Sequence, residues 1–156
     1  MPLALLLILP ACGSGTKSHP VSTRVVRGPD YSFSAPGGWR TSRTERAVAV
    51  RSGASRVSVT NYTLQKPYRP ALFAAAAKEL DGIAAKLASE AGETLSEKQT
   101  VRVDGQRIRA YRFGTTRIGF VLVGKREYQL LCQFPPGGKD ADGACDLLFK
   151  SFSVSY

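Results

Sequence analysis

QTVRVDGQRIRAYRFGTTRIGFVLVGKREYQLLCQF, residues 99–134, is the stretch on which the fold turns. Four runs within it, Gln99 to Val103, Arg107 to Phe113, Thr116 to Val123 and Glu127 to Phe134, are rich in the β-branched and aromatic residues that suit a pleated surface. Between them lie Asp104-Gly105, Gly114-Thr115 and Gly124-Lys125-Arg126. Such links are too short for a crossover, so each run turns straight back on its neighbour. The stretch predicts an antiparallel sheet.

Upstream, Val25 to Arg27 and Tyr31 to Ser34 read as short strands around Gly28-Pro29-Asp30, and Ala35-Pro36-Gly37-Gly38 breaks the chain before Trp39. Ala47 to Arg51 and Arg56 to Leu64 flank Ser52-Gly53-Ala54-Ser55 as a hairpin. From Pro70 to Ala91 the period changes: Phe73, Ala76, Leu80, Ile83 and Leu87 recur at spacings of three and four, which predicts an amphipathic helix ending at Gly92. A stripe so rich in alanine is expected to pack on the sheet, not to serve as a partner groove or lie on a membrane. A second helix is predicted from Ala141 to Phe152, with Cys145, Leu148, Phe149 and Phe152 on one face, and Ser153 to Tyr156 as a last strand. Strands, long helix, strands, short helix, without repeats or βαβ alternation, define an α+β protein with an antiparallel sheet.

The chain opens MPLALLLILPACGSGTKSHP. Its apolar run from Leu3 to Pro10 is too short to cross a bilayer, which takes about 20 residues. Pro2 and Pro10 bracket it, and it shows neither helical nor strand alternation, so an export signal is the better account. Leu9-Pro10-Ala11-Cys12 resembles the lipobox of bacterial lipoproteins. That resemblance implies a signal peptide over residues 1–11 and a diacylglycerol-bearing Cys12. A flexible Gly/Ser/Thr/Pro tether then covers residues 12–23, and a single domain runs over 24–156. The expected location is extracytoplasmic, on the outer face of the cell membrane.

Of the 156 residues, 43% are apolar, enough for a real core. The 22 Lys and Arg against 12 Asp and Glu give +10, and none of those charges falls in the signal. A basic balance favours anionic partners. Outside the cytoplasm these are acidic phospholipid headgroups and acidic wall polymers, with an envelope protein as the other expected partner; no base-stacking basic region, helix-turn-helix or zinc spacing points to nucleic acid. With Cys12 lipidated, Cys132 and Cys145 remain, an even number in an oxidising compartment, and are expected to pair. Both fall on apolar faces, Cys132 in line with Tyr128, Leu130 and Phe134, Cys145 with Leu148, Phe149 and Phe152. No metal site is expected, since the only His is His19, in the tether, and no third soft ligand lies near the two Cys.

YSFSAPGGWR (31–40), KREYQLLCQF (125–134) and CDLLFKSFSV (145–154), with the strands and long helix between them, resemble the PsbP-like domain of actinobacterial envelope lipoproteins of the LpqN type. The shared motifs are an aromatic strand entering a Pro-Gly-Trp turn and a late-strand Cys paired with one in the last helix. The resemblance spans about Val25 to Val154 and implies an α-β-α sandwich, with helices on both faces of a central antiparallel sheet. Trp39 is by the same resemblance a packing residue. The family's domains serve as extrinsic subunits and binding modules, so no catalytic residue and no cofactor is implied.

The chemistry of the residues agrees. Without a His in the domain the familiar nucleophile triads are excluded. Asp140 and Asp142 sit where acids cap the last helix. Pro135-Pro136-Gly137-Gly138-Lys139 lacks the spacing of a nucleotide loop, and Asn61-Tyr62-Thr63 fits a glycosylation pattern by chance. A non-enzymatic binding module is expected, with a hydrolase of unrecognised type as the alternative. The candidate anion-binding residues are Arg102, Arg107 and Arg109: the latter two alternate onto one side of their strand with Tyr111, and Arg102 precedes the intervening turn.

Overall fold

The computed structural model describes residues 21–137, 140 and 143–156. The expected signal peptide, Cys12 and nearly all of the tether lie outside the described residues, as does Asp142. The first strand, β1 (Thr23–Arg27), begins one residue before the expected domain start, and pairs with β2 (Tyr31–Pro36). Then come β3 (Arg40–Arg43), β4 (Ala47–Ser52), β5 (Ser55–Tyr68), α1 (Phe73–Glu90), β6 (Leu95–Val103), β7 (Gln106–Phe113), β8 (Thr116–Gln133), α2 (Ala144–Ser151) and β9 (Ser153–Val154).

Two antiparallel sheets result, a large one in the order β3-β4-β5-β8-β7-β6 and a small one in the order β1-β2-β9. The turns are those the sequence marks. Ser52 pairs with Ser55 across Gly53-Ala54, and Val103 pairs with Gln106 across Asp104-Gly105. Asp104 and Gly105 both take positive φ, 49° and 74°, as a tight hairpin turn with the strands' own twist requires.

β8 is not one extended strand. Eighteen extended residues would span about 60 Å, yet Thr115 Oγ1 donates to the Phe134 carbonyl at 2.6 Å and Phe134 N–H to the Thr115 carbonyl at 3.3 Å. The run therefore doubles back at Gly124, whose φ is +55°. The split at Gly124-Lys125-Arg126 expected from sequence is the point of reversal. One half pairs with β7 and the other with β5.

Helices cover both faces of the large sheet. On one, Leu80, Ala84 and Ala88 of α1 pack against Tyr111, Phe113, Ile118 and Phe120. On the other, Val48, Val50, Val57, Val59, Tyr128 and Leu130 meet Val26, Phe33 and Ala35 of the small sheet and Ala144, Leu148 and Phe149 of α2. This is the α+β sandwich expected, with a second sheet beside α2. Trp39 is buried in this layer. The stripe on α1 is rotated from expectation: Ile83 is 45% exposed, while Ala84 and Ala88 are buried. The rotation also brings Asp81 over the sheet, where three donors hold it.

Candidate functional site

The large sheet has two ends, and they carry charge differently. At the near end the described chain enters: Gly37 N–H donates to the Ser22 carbonyl at 2.7 Å. Two residues on, Trp39 and Arg40 lead into β3, and Arg24 ties this corner together by donating from Nη2 to the Trp39 carbonyl at 2.7 Å and to Thr41 Oγ1 at 2.6 Å. The far end holds the Asp104-Gly105 turn. Six residue steps along β7, from Phe113 to Arg107, separate the two ends, about 20 Å of strand.

Arg102, Arg107 and Arg109 gather at the far end, on the face under α1. Arg102 pairs directly with Arg107, and Arg109 with Thr100, so all three point to one side. Arg109 has a counter-ion that the sequence did not reveal. Its Nη2 lies 2.8 Å from Asp81 Oδ1, and that side chain is only 15% exposed. The Tyr111 hydroxyl donates to the same oxygen at 2.7 Å, and Lys98 Nζ to Oδ2 at 3.1 Å. Burial works against the charged carboxyl, but these three donors outweigh it and hold Asp81 at about 2, below its ordinary 3.8. The Tyr111 phenol is pushed up by burial and by its bond to Asp81. Arg107 lies over the Phe73 ring at 4.5 Å, and Arg102 Nη1 donates to the Gly105 carbonyl at 3.1 Å. Two of the three guanidiniums thus fasten α1 to the sheet.

The near end carries a second set. Arg40, Arg51 and Arg56 occupy one row across three adjacent strands: Arg40 pairs with Arg51 in β3 and β4, and Arg51 with Arg56 in β4 and β5. Directly paired residues share a face, so three guanidiniums project together at strand spacings of about 4.8 Å. None of them forms an ion pair among the described residues. Arg56 Nε is buried without a hydrogen-bond partner, and burial, then the neighbouring Arg51 charge, lowers the pKa of Arg56. An open cleft of about 650 Å³ adjoins the row, lined by Gly38, Arg40, Thr41, Ser42, Arg51 and the Ser52-Gly53 turn. The signal was legible: a two-residue turn at Gly53-Ala54 puts Arg51 opposite Arg56.

A second cleft, also about 650 Å³, lies among Asp30, Glu45, Arg46, Asn61, Tyr62 and Arg126. Its charges are mixed, and Asp30 is engaged by the Tyr128 hydroxyl at 2.9 Å. The expected disulfide is present: Cys132 and Cys145 are bonded, with Cα atoms 5.7 Å apart, at 0% and 4% exposure. Asp140 caps α2, its Oδ2 accepting the Cys145 N–H at 3.0 Å. No helix among the described residues is long and apolar enough to cross a membrane.

A core sheet clasped between two helices, with a small sheet on one face, is a mixed α+β arrangement similar to the PsbP fold. The match to cyanobacterial PsbP (CyanoP) from Synechocystis has a TM-score of 0.61 over 92% of this chain and 98% of that one, at 14% sequence identity. A crystal structure from Bacteroides thetaiotaomicron matches with a TM-score of 0.50 over 88% of this chain and 50% of that one, at 10% identity. At these identities the likeness is one of fold. No protein-family model matches the chain, and no curated protein matches it in sequence.

Proposed function

We propose that this chain is an exported lipoprotein of the LpqN type, anchored through Cys12, that acts as a non-enzymatic binding module at the outer face of the cell membrane and engages anionic envelope lipid. The observation that carries export is the Cys132–Cys145 bond: a disulfide sealed in the core fits a protein that folds in an oxidising compartment. The PsbP-like fold supports a binding role, and the charge of +10 favours an anionic partner. Arg102, Arg107 and Arg109 are one candidate contact, although Asp81 already compensates Arg109.

The test is mass spectrometry of protein released gently from its own membrane. Acyl chains on Cys12 and a co-purifying anionic lipid are expected. A Cys12→Ser chain that stays membrane-bound and is processed as before overturns the anchor. A co-purifying protein with no lipid moves the binding role to a protein partner, and turnover of an ester or peptide by the purified chain favours the hydrolase.

A further inference from the structure

We infer that Arg40, Arg51 and Arg56 form a phosphate-binding site at the near end of the sheet. Like charges directly opposite one another across strands destabilise a sheet. Three in one row, with no carboxylate to offset them among the described residues, are an arrangement that an anion would relieve. Phosphate groups suit it, because a guanidinium presents a planar fork of donors to two phosphate oxygens at once. Neighbouring strands set adjacent arginines about 4.8 Å apart, so two forks close on one phosphate from either side.

The surroundings agree with that chemistry. The cleft beside the row is open, and a Cβ built at Gly38 or Gly53 would meet nothing within 4 Å. Arg56 Nε, buried without a partner, is a donor still to be satisfied. The far-end cluster differs, since Asp81 takes up Arg109 and Lys98, Arg107 lies over the Phe73 ring and Arg102 donates to the Gly105 carbonyl.

Position suggests the source of the phosphate. The row lies at the end where Ser22 meets Gly37, so a chain anchored at Cys12 would hold these arginines against the headgroups of its own membrane. The lipid source rests on the anchoring proposed above; the phosphate chemistry does not.

The two separate in one experiment on the full chain carrying Cys12→Ser, which removes the anchor. Inorganic phosphate at low ionic strength is titrated by calorimetry, and flotation is measured with vesicles of phosphatidylglycerol and of phosphatidylcholine. We expect phosphate to bind and phosphatidylglycerol vesicles to bind more tightly, with phosphatidylcholine inert. Arg40→Gln, Arg51→Gln and Arg56→Gln together should weaken both at least tenfold. Lys66→Gln, Lys78→Gln and Lys125→Gln, which remove the same charge elsewhere, should change phosphate binding less than twofold. Ser42→Glu leaves every arginine in place and sets a carboxylate one step along the same face, so it should also abolish phosphate binding. It guards against mere misfolding of the triple variant. Phosphate binding without vesicle binding supports the site and assigns it to a soluble phosphate ligand. Equal losses in the two triple variants, or phosphate binding untouched by Ser42→Glu, overturn it.

Discussion

The two arginine clusters lie on one face of one sheet, about 20 Å apart along the strands, and solve the problem of clustered charge in opposite ways. At the far end, α1 supplies Asp81, and Arg109, Lys98 and Tyr111 converge on it. Charge there becomes a fastening. At the near end Arg40, Arg51 and Arg56 stand in a row across β3, β4 and β5, and none of them forms an ion pair among the described residues. What holds that end together lies on the opposite face, where Cys132, opposite Val57 next to Arg56, is bonded to Cys145 of α2. The difference teaches that a cluster of like charges marks a binding surface only after its counter-ions have been sought on neighbouring elements. The sequence spacing of the far-end arginines is as suggestive as that of the near-end ones. Only the packed helix distinguishes them.

The sharpest way to probe the near end is to cut its staple. Closing a 13-residue separation stabilises by about 3 kcal/mol in the chain-entropy model, so Cys132→Ala with Cys145→Ala should lower the unfolding free energy by about that much in urea titrations. A loss below about 1 kcal/mol would mean that core packing alone holds α2.

At the far end, Asp81→Ala leaves Arg109, 15% exposed, and the Tyr111 hydroxyl without their acceptor. We expect a loss of about 2 kcal/mol, below the range for fully buried pairs because the carboxylate is partly solvated. An unchanged midpoint would break the comparison, since the charge would then be as idle there as at the near end.

The same pair predicts an acid limb. Asp81 binds its proton more weakly folded than unfolded, so its contribution is present above pH about 4 and fades as pH falls through about 2. Discounted for solvent screening, the change is about 1 to 2 kcal/mol. Asp81→Asn should flatten stability across that window when melting temperature is followed against pH.

The smallest effect has the opposite sign. Removing one member of the near-end row by Arg51→Gln should stabilise the chain by about 0.5 kcal/mol at low salt, because it relieves two like-charge pairs. The gain should disappear as salt screens the row. Destabilisation would mean that the packing of the Arg51 stem on the sheet outweighs the repulsion along the row.

Much of this fold is legible in the sequence because its turns are. Asp104-Gly105, Gly53-Ala54 and Gly124 each reverse the chain where their residue types call for it, and the disulfide follows from parity and the two apolar faces. The phase of α1 was harder to read. In FAAAAKELDGIAAKLASE alanine lies on every side, so periodicity did not separate Ile83 from Ala84, and the choice fell to a tertiary ion pair. The near-end row is only partly legible for a related reason: Arg40 comes from β3, a four-residue strand with no apolar alternation, RTSR, whose place is set only by pairing with β4. A residue's neighbours across a sheet are a property of register, which turn chemistry fixes for Arg51 and Arg56 but not for the strand beyond.

The position of β3 also bears on solubility. It is an open edge of the large sheet, and a free strand edge is a template on which another molecule can add a strand of its own. β3 is a poor template: it is four residues long, with a guanidinium at each end, Arg40 and Arg43. A second copy offering its own β3 would add like charge beside Arg40 on one face and beside Arg43 on the other, so the edge guards against self-association while it remains unliganded.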